Sequence, residues 1–115
     1  ILNKIKKSNK DKYFLLKVYK KNNKYLLVKN RSFNFLKNFN IFPMQELIRP
    51  KNFNQNLNFK MSNMNMNIEI KNDKMTKPIP FSYWIDPKKL KNYTLPTFTK
   101  KIVTYLENHK WKKLQ

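Results

Sequence analysis

Side chains able to do acid–base, nucleophilic or metal chemistry are few and scattered in this sequence. The carboxylates are Asp11, Glu46, Glu69, Asp73, Asp86 and Glu107, His109 is the single imidazole, and there is no Cys and no Gly. Without Cys there are no disulfide staples, thiolate zinc sites or Cys nucleophiles. A lone His excludes any metal site that needs two imidazoles. Without Gly there is neither a phosphate-cradling loop nor a dinucleotide-binding fingerprint. No spacing joins a Ser, His109 and a carboxylate into a triad. His109 reads as a helix-end residue, and the carboxylates read as salt-bridge partners of nearby lysines. The expectation is a chain with no catalytic residue, no metal, no cofactor and no small-molecule substrate, and so not an enzyme.

The chemistry that the sequence does carry is electrostatic. Its 115 residues include 26 Lys plus Arg against 6 Asp plus Glu, a net charge of +20 and a pI near 10.2. Of the cations 24 are Lys and 2 are Arg, alongside 18 Asn and no Ala. Lys, Asn, Phe, Ile and Tyr have AT-rich codons, so the Lys excess over Arg reads as a strongly AT-biased gene. Codon bias does not explain the shortage of acids, and a charge of this size implies an anionic partner. Lysine neutralises phosphates and releases counterions whatever the base sequence. The residues expected to contact RNA are Lys6, Lys7 and Lys10, then Lys20, Lys21 and Lys24, then Lys29 and Arg31. Lys88 and Lys89, Lys100 and Lys101, and Lys110, Lys112 and Lys113 complete the set.

Aromatics make up 17 of the 115 residues. Interleaved with Lys and Asn they could stack on unpaired bases, but a chain without Ala must also build its core from Phe, Tyr and Leu. Phe14, Phe59, Phe98 and Tyr105 are expected in the core. Phe33, Phe35, Tyr83 and Trp84 are expected to contact a partner, RNA or protein. Asn30-Arg-Ser32 and Asn92-Tyr-Thr94 match the glycosylation pattern, as chance predicts in a chain with so many Asn.

These side chains must be positioned by an α+β fold: antiparallel β-hairpins, a C-terminal α-helix and extended basic segments. The expected organisation is one domain, with a basic N-terminal extension (1–11), a β-hairpin region (12–71), a Pro-punctuated extended segment (72–96) and a helix (97–115). Lys12 to Lys29 reads as a hairpin around Lys21-Asn22-Asn23, pairing Lys20 with Lys24, Val18 with Leu26 and Leu16 with Val28. That register puts Phe14, Leu16, Val18, Leu26 and Val28 on one face, with Asn23 in the left-handed conformation. Pro43 to Ile48 suits a short helical turn with Pro at its first position.

Between Phe53 and Lys71 the apolar residues alternate, first on odd positions and then on even ones, with the phase flipping at Ser62-Asn63. A two-residue turn there pairs Met61 with Met64, Phe59 with Met66, Leu57 with Ile68 and Gln55 with Ile70. A bulge in one long strand would restore the phase equally well. In the last segment Phe98, Ile102, Tyr105, Leu106 and His109 recur at helical spacing. Thr97 or Thr99 could cap its start, and the closing lysines favour the negative end of the helix dipole.

No apolar run approaches the roughly 18 residues needed to span a bilayer. The first residue is Ile1, which predicts a segment upstream. The expectation is a structural ribosomal protein, mitochondrial in its sharpest version, bound to rRNA and to neighbouring ribosomal proteins in the matrix. A cytosolic or plastid ribosome fits the same features. A small accessory subunit of another mitochondrial assembly, such as a respiratory complex with a basic face on anionic lipid, is the alternative. A DNA-binding architectural protein ranks lower, because neither a helix-turn-helix pair nor an Arg-rich minor-groove arm is visible.

Overall fold

The structure is a computed structural model that describes residues 10–61 and 63–113, with only the backbone described from 109 onward. It is a mixed α+β fold with antiparallel hairpin-like strands and a C-terminal helix. Eight strands run in chain order: β1 Lys10–Val18, β2 Lys20–Lys21, β3 Lys24–Lys29, β4 Asn40–Ile41, β5 Met44–Leu47, β6 Leu57–Met61, β7 Met64–Asn72 and β8 Ser82–Ile85. A 3-10 segment, Pro87–Asn92, precedes the helix α1, Thr97–Lys113. The chain divides into two compact units, residues 1–17 with 44–71 and residues 18–43 with 72–115.

In the first unit one sheet has the order β5-β1-β7-β6. The hairpin expected between residues 53 and 71 is present, with Met61 facing Met64, Phe59 facing Met66 and Leu57 facing Ile68. Hairpin rather than bulge therefore resolves the phase flip, although Ser62 itself lies outside the described residues. The ladder stops short of the expected Gln55–Ile70 pair. Asn56 takes over there, its N–H donating to Ile68 O (2.7 Å) and its Oδ1 accepting from Ile70 N (2.7 Å). An Asn side chain that mimics a backbone partner ends a ladder in this way. Phe14, Leu16, Met66 and Ile68 are buried, and Leu57, Phe59, Met61 and Met64 are half-buried.

Two sequence expectations fail in this sheet. Residues 44–47 are not a helical turn but the strand β5, whose Met44, Gln45, Glu46 and Leu47 face Leu16, Leu15, Phe14 and Tyr13. A neighbouring strand with unpaired backbone groups overrides the weak local helical preference. Nor does β1 fold back on β3. At one end of β1 the Lys10 N–H donates to Asn63 O (2.9 Å), and at the other Val18 O accepts from Asp73 N (3.0 Å). Strands β1 and β7 thus run in the same direction, a parallel pair within a fold of otherwise antiparallel pairings, joined by a long crossover.

In the second unit β3 is the central strand, with β2 and β4 along one side and β8 along the other, all antiparallel. The hairpin turn is Asn22-Asn23, and Lys21 faces Lys24 and Lys20 faces Tyr25. The register is one residue away from the expected Lys20–Lys24 pairing, and the ladder ends at Tyr19, whose carbonyl accepts from Leu26 N (3.1 Å). The Val18–Leu26 and Leu16–Val28 pairs do not form. Both turn residues are left-handed, with φ of 51° and 63°, which gives the two-residue turn whose twist matches the strands. A three-residue loop needs only one such residue. Asn23 was expected to be left-handed and is; Asn22 adds the second.

Tyr25, Leu26 and Leu27 are all buried, so both faces of β3 are covered. Helix α1 packs on β4 and on the 3-10 segment, and buries Phe98, Ile102, Val103 and Leu106, with Tyr105 half-buried. Neither threonine plays the expected capping part through a bond to the first turn. Thr97 is the first helical residue and Pro96 O accepts the first helical bond from Lys100 N. Thr99 is buried, and its hydroxyl donates to Asn40 O at 2.7 Å. Residues 82–85, inside the segment expected to be extended along a surface, are strand β8.

Candidate nucleic-acid interface

The carboxylates are mostly engaged in hydrogen bonds within the protein. Asp11 Oδ1 accepts from Asn65 Nδ2 (2.6 Å), Glu107 Oε2 from the Tyr25 hydroxyl (2.6 Å), and Asp86 Oδ1 from Lys88 N (3.0 Å) at the start of the 3-10 segment. Glu69 Oε1 accepts from Asn54 N (3.4 Å) and Asp73 Oδ1 from Lys74 N (2.8 Å). The expected pairing with a neighbouring lysine is realised at Glu46, whose Oε2 lies 3.5 Å from Lys12 Nζ. Burial, helped by the hydrogen bond to Glu107 and its negative charge, pushes the Tyr25 phenol well above its usual range.

The cations are therefore left facing outward. Lys10, Lys20, Lys21, Lys24, Lys29, Arg31, Lys88, Lys89, Lys100 and Lys101 are all exposed. None of these ten has a carboxylate within ion-pair distance among the described residues. The structure brings three of them together at the β2–β3 turn, where Lys21 stands opposite Lys24 and the Lys20 ammonium lies 5.6 Å from the centre of the Tyr25 ring. Lys29 lies at the other end of β3, five residues from Lys24 or roughly 17 Å along the strand, and Arg31 lies two residues beyond it. Lys88 and Lys89 are on the 3-10 segment, and Lys100 and Lys101 on the first turn and a half of α1. Lys6 and Lys7 lie outside the described residues, as do the side chains of His109, Lys110, Lys112 and Lys113.

Beside Arg31 the chain is organised by Asn30, which is 2% exposed. Its Nδ2 donates to Phe35 O (2.5 Å) and Leu36 O (3.0 Å), and its Oδ1 accepts from Phe33 N (3.0 Å) and Ser32 N (3.3 Å). A carboxamide occupied in this way is no glycosylation acceptor. The loop it holds stacks Phe33 on Phe35, with ring centres 5.1 Å apart and planes 20° from parallel. Both rings are half-buried, as is Trp84, while Tyr83 is exposed. Partial desolvation raises the Tyr83 phenol above its ordinary value.

One residue of this region was not among those expected to contact a partner. Phe81 is exposed, and its ring centre lies 4.8 Å from the Arg31 guanidinium carbon. The available signal was its place at the head of Phe81-Ser-Tyr-Trp-Ile85, two positions before Tyr83 and immediately ahead of β8.

No known protein-family profile matches the sequence, and no curated protein does. Among solved structures, a chain in the crystal structure of the complex between the C-terminal domain of mouse MUTYH and human PCNA is similar. The TM-score is 0.59 at 14% identity, over 88% of this chain and 90% of that chain. At that identity the likeness is one of fold. Among the described residues no three His, Asp or Glu side chains cluster as metal ligands, and no helix is long and apolar enough to cross a membrane.

Proposed function

We propose that this chain is a structural constituent of a ribosome, mitochondrial in location, that neutralises rRNA phosphates and fills space between RNA and neighbouring proteins. The observation that carries this reading is the array of exposed cations without carboxylate partners among the described residues, above all the juxtaposed Lys21 and Lys24. Like charges directly opposite on paired strands destabilise a hairpin, and an RNA backbone between or above them would reverse that sign. Binding of this kind needs no catalytic group. It is diffuse, salt-dependent and tolerant of Lys in place of Arg.

Sedimentation of organelle lysate through a sucrose gradient, with and without RNase, tests it. The chain should co-migrate with one ribosomal subunit and leave that position after RNase digestion. Retention on membranes or in a detergent-solubilised complex regardless of RNase would replace the ribosomal reading with that of an accessory subunit.

A further inference from the structure

Phe81 combines two unfavourable features. Along β8 and the residue before it, exposure rises from Ile85 (0%) through Tyr83 (41%) to Phe81 (63%), so the ring is largely in water. Its backbone is also left-handed, with φ of 57°, a conformation in which a bulky side chain is a true outlier. Of the seven left-handed residues among those described, four are asparagine (Asn22, Asn23, Asn38 and Asn52), and Leu36 and Arg49 join Phe81 as the exceptions. Backbone geometry explains why residue 81 bends, since its carbonyl accepts from Lys29 N at 3.0 Å. It does not explain why the bent residue is phenylalanine.

The partner of the ring is equally selective. Arg31 is one of 2 Arg in a chain with 24 Lys, and the two cations are not equivalent over an aromatic face. A guanidinium is planar and weakly hydrated and stacks on the ring, whereas an ammonium is a hydrated point charge. Arg31 is exposed and has no carboxylate within ion-pair distance among the described residues. Planar guanidinium, exposed ring and nearby Lys29 together have the features of surfaces on which splayed-out RNA bases stack while their phosphates are neutralised.

We infer that the Arg31–Phe81 pair is a stacking site for an unpaired nucleobase, so that this chain recognises a bulge or loop in its RNA and not only the helical backbone. The inference rests on the RNA-binding reading above and adds a local specificity to it. A protein partner for the same patch is the competing occupant, and the positive charge around it favours RNA.

The probes are two RNA hairpins identical except for one unpaired purine bulge, with affinities measured by fluorescence anisotropy across a salt series using the full chain. The variants are Phe81→Asn, which removes the ring with a residue suited to the backbone, and Arg31→Lys, which keeps the charge and removes the plane. Unchanged circular dichroism and melting verify their folding. The wild type should prefer the bulged hairpin by about tenfold. Phe81→Asn should bring that preference to about one with the paired-hairpin affinity and salt slope unchanged, and Arg31→Lys should cut it several-fold. A preference that is absent in the wild type, or intact in both variants, overturns the inference and leaves phosphate binding standing. Failure of the wild type to bind either RNA at any salt overturns both readings. If Phe81→Asn binds both RNAs like the wild type but no longer joins the ribosomal subunit on a gradient, the patch docks protein and the inference falls.

Discussion

Lys21 and Lys24 face each other directly across the Asn22-Asn23 turn, with no carboxylate close enough to separate their charges among the described residues. Replacing Lys24 with Glu turns a repulsive cross-strand pair into an attractive one. The isolated chain should gain about 0.5 kcal/mol of stability. RNA affinity should fall, with a shallower salt dependence. Urea denaturation and a binding titration on the same variant check the two signs. A variant that lost stability, or gained affinity, would remove this turn from the interface.

The turn itself gives a second prediction. Asn23→Gly should stabilise the hairpin by about 0.5 kcal/mol, because Gly takes a positive φ without steric penalty. Asn22→Val should destabilise it by roughly 1–2 kcal/mol, because a β-branched residue is forced into the left-handed region. Thermal melts of both variants decide the matter, and equal melting temperatures would contradict the turn geometry.

Asn30 holds residues 32–36 through four side-chain hydrogen bonds. Asn30→Ala leaves two carbonyls and two N–H groups in search of partners, a loss of about 2–3 kcal/mol. Amide exchange at Ser32 and Phe33 should accelerate most. The stacked Phe33 and Phe35 rings should lose their fixed geometry, seen as collapse of their ring-current-shifted NMR signals.

Tyr25 gives the fold a dependence on alkaline pH. Its phenol is buried and donates to Glu107, which raises its pKa above the ordinary value of 10.0. The folded state thus holds the proton more tightly than the unfolded chain. Its contribution is fully present below pH 10 and is lost as pH rises from there toward the folded-state pKa. Tyr25→Phe should cost about 1–2 kcal/mol at neutral pH from the lost bond to a carboxylate. It should also flatten the fall in stability above pH 10 relative to wild type. Parallel slopes for the two proteins above pH 10 would dissociate Tyr25 from that fall.

Thr99 ties the helix to β4 through its bond to Asn40 O. Thr99→Val keeps the shape and orphans the carbonyl, so a loss of about 1–2 kcal/mol is expected in denaturant titration. A neutral result would mean that water or another donor replaces the hydroxyl.

Composition and periodicity alone determined a good deal of this protein. Alternation marked the apolar faces of β6 and β7 and, for a hairpin, three of its pairs, because a one-residue slip would turn every apolar side chain to the wrong face. It left hairpin and bulge open, and the pairing of Met61 with Met64 decided between them. Helical spacing marked α1 by its buried Phe98, Ile102 and Leu106. The excess of Lys over acids was likewise plain from the residues themselves. Tertiary structure decided what local pattern cannot encode. Strand β1 reads as half of a hairpin with β3, yet its backbone bonds go to β5 and to a parallel β7, partners distant in sequence. Residues 44–47 carry a weak helical preference that an unpaired neighbouring strand overrides. Arg31 and Phe81 are fifty residues apart in sequence, and only the β3–β8 pairing brings guanidinium and ring together. Local pattern specifies which face of an element is apolar; which element then covers that face is set by long-range pairing, and no short window of sequence contains that information.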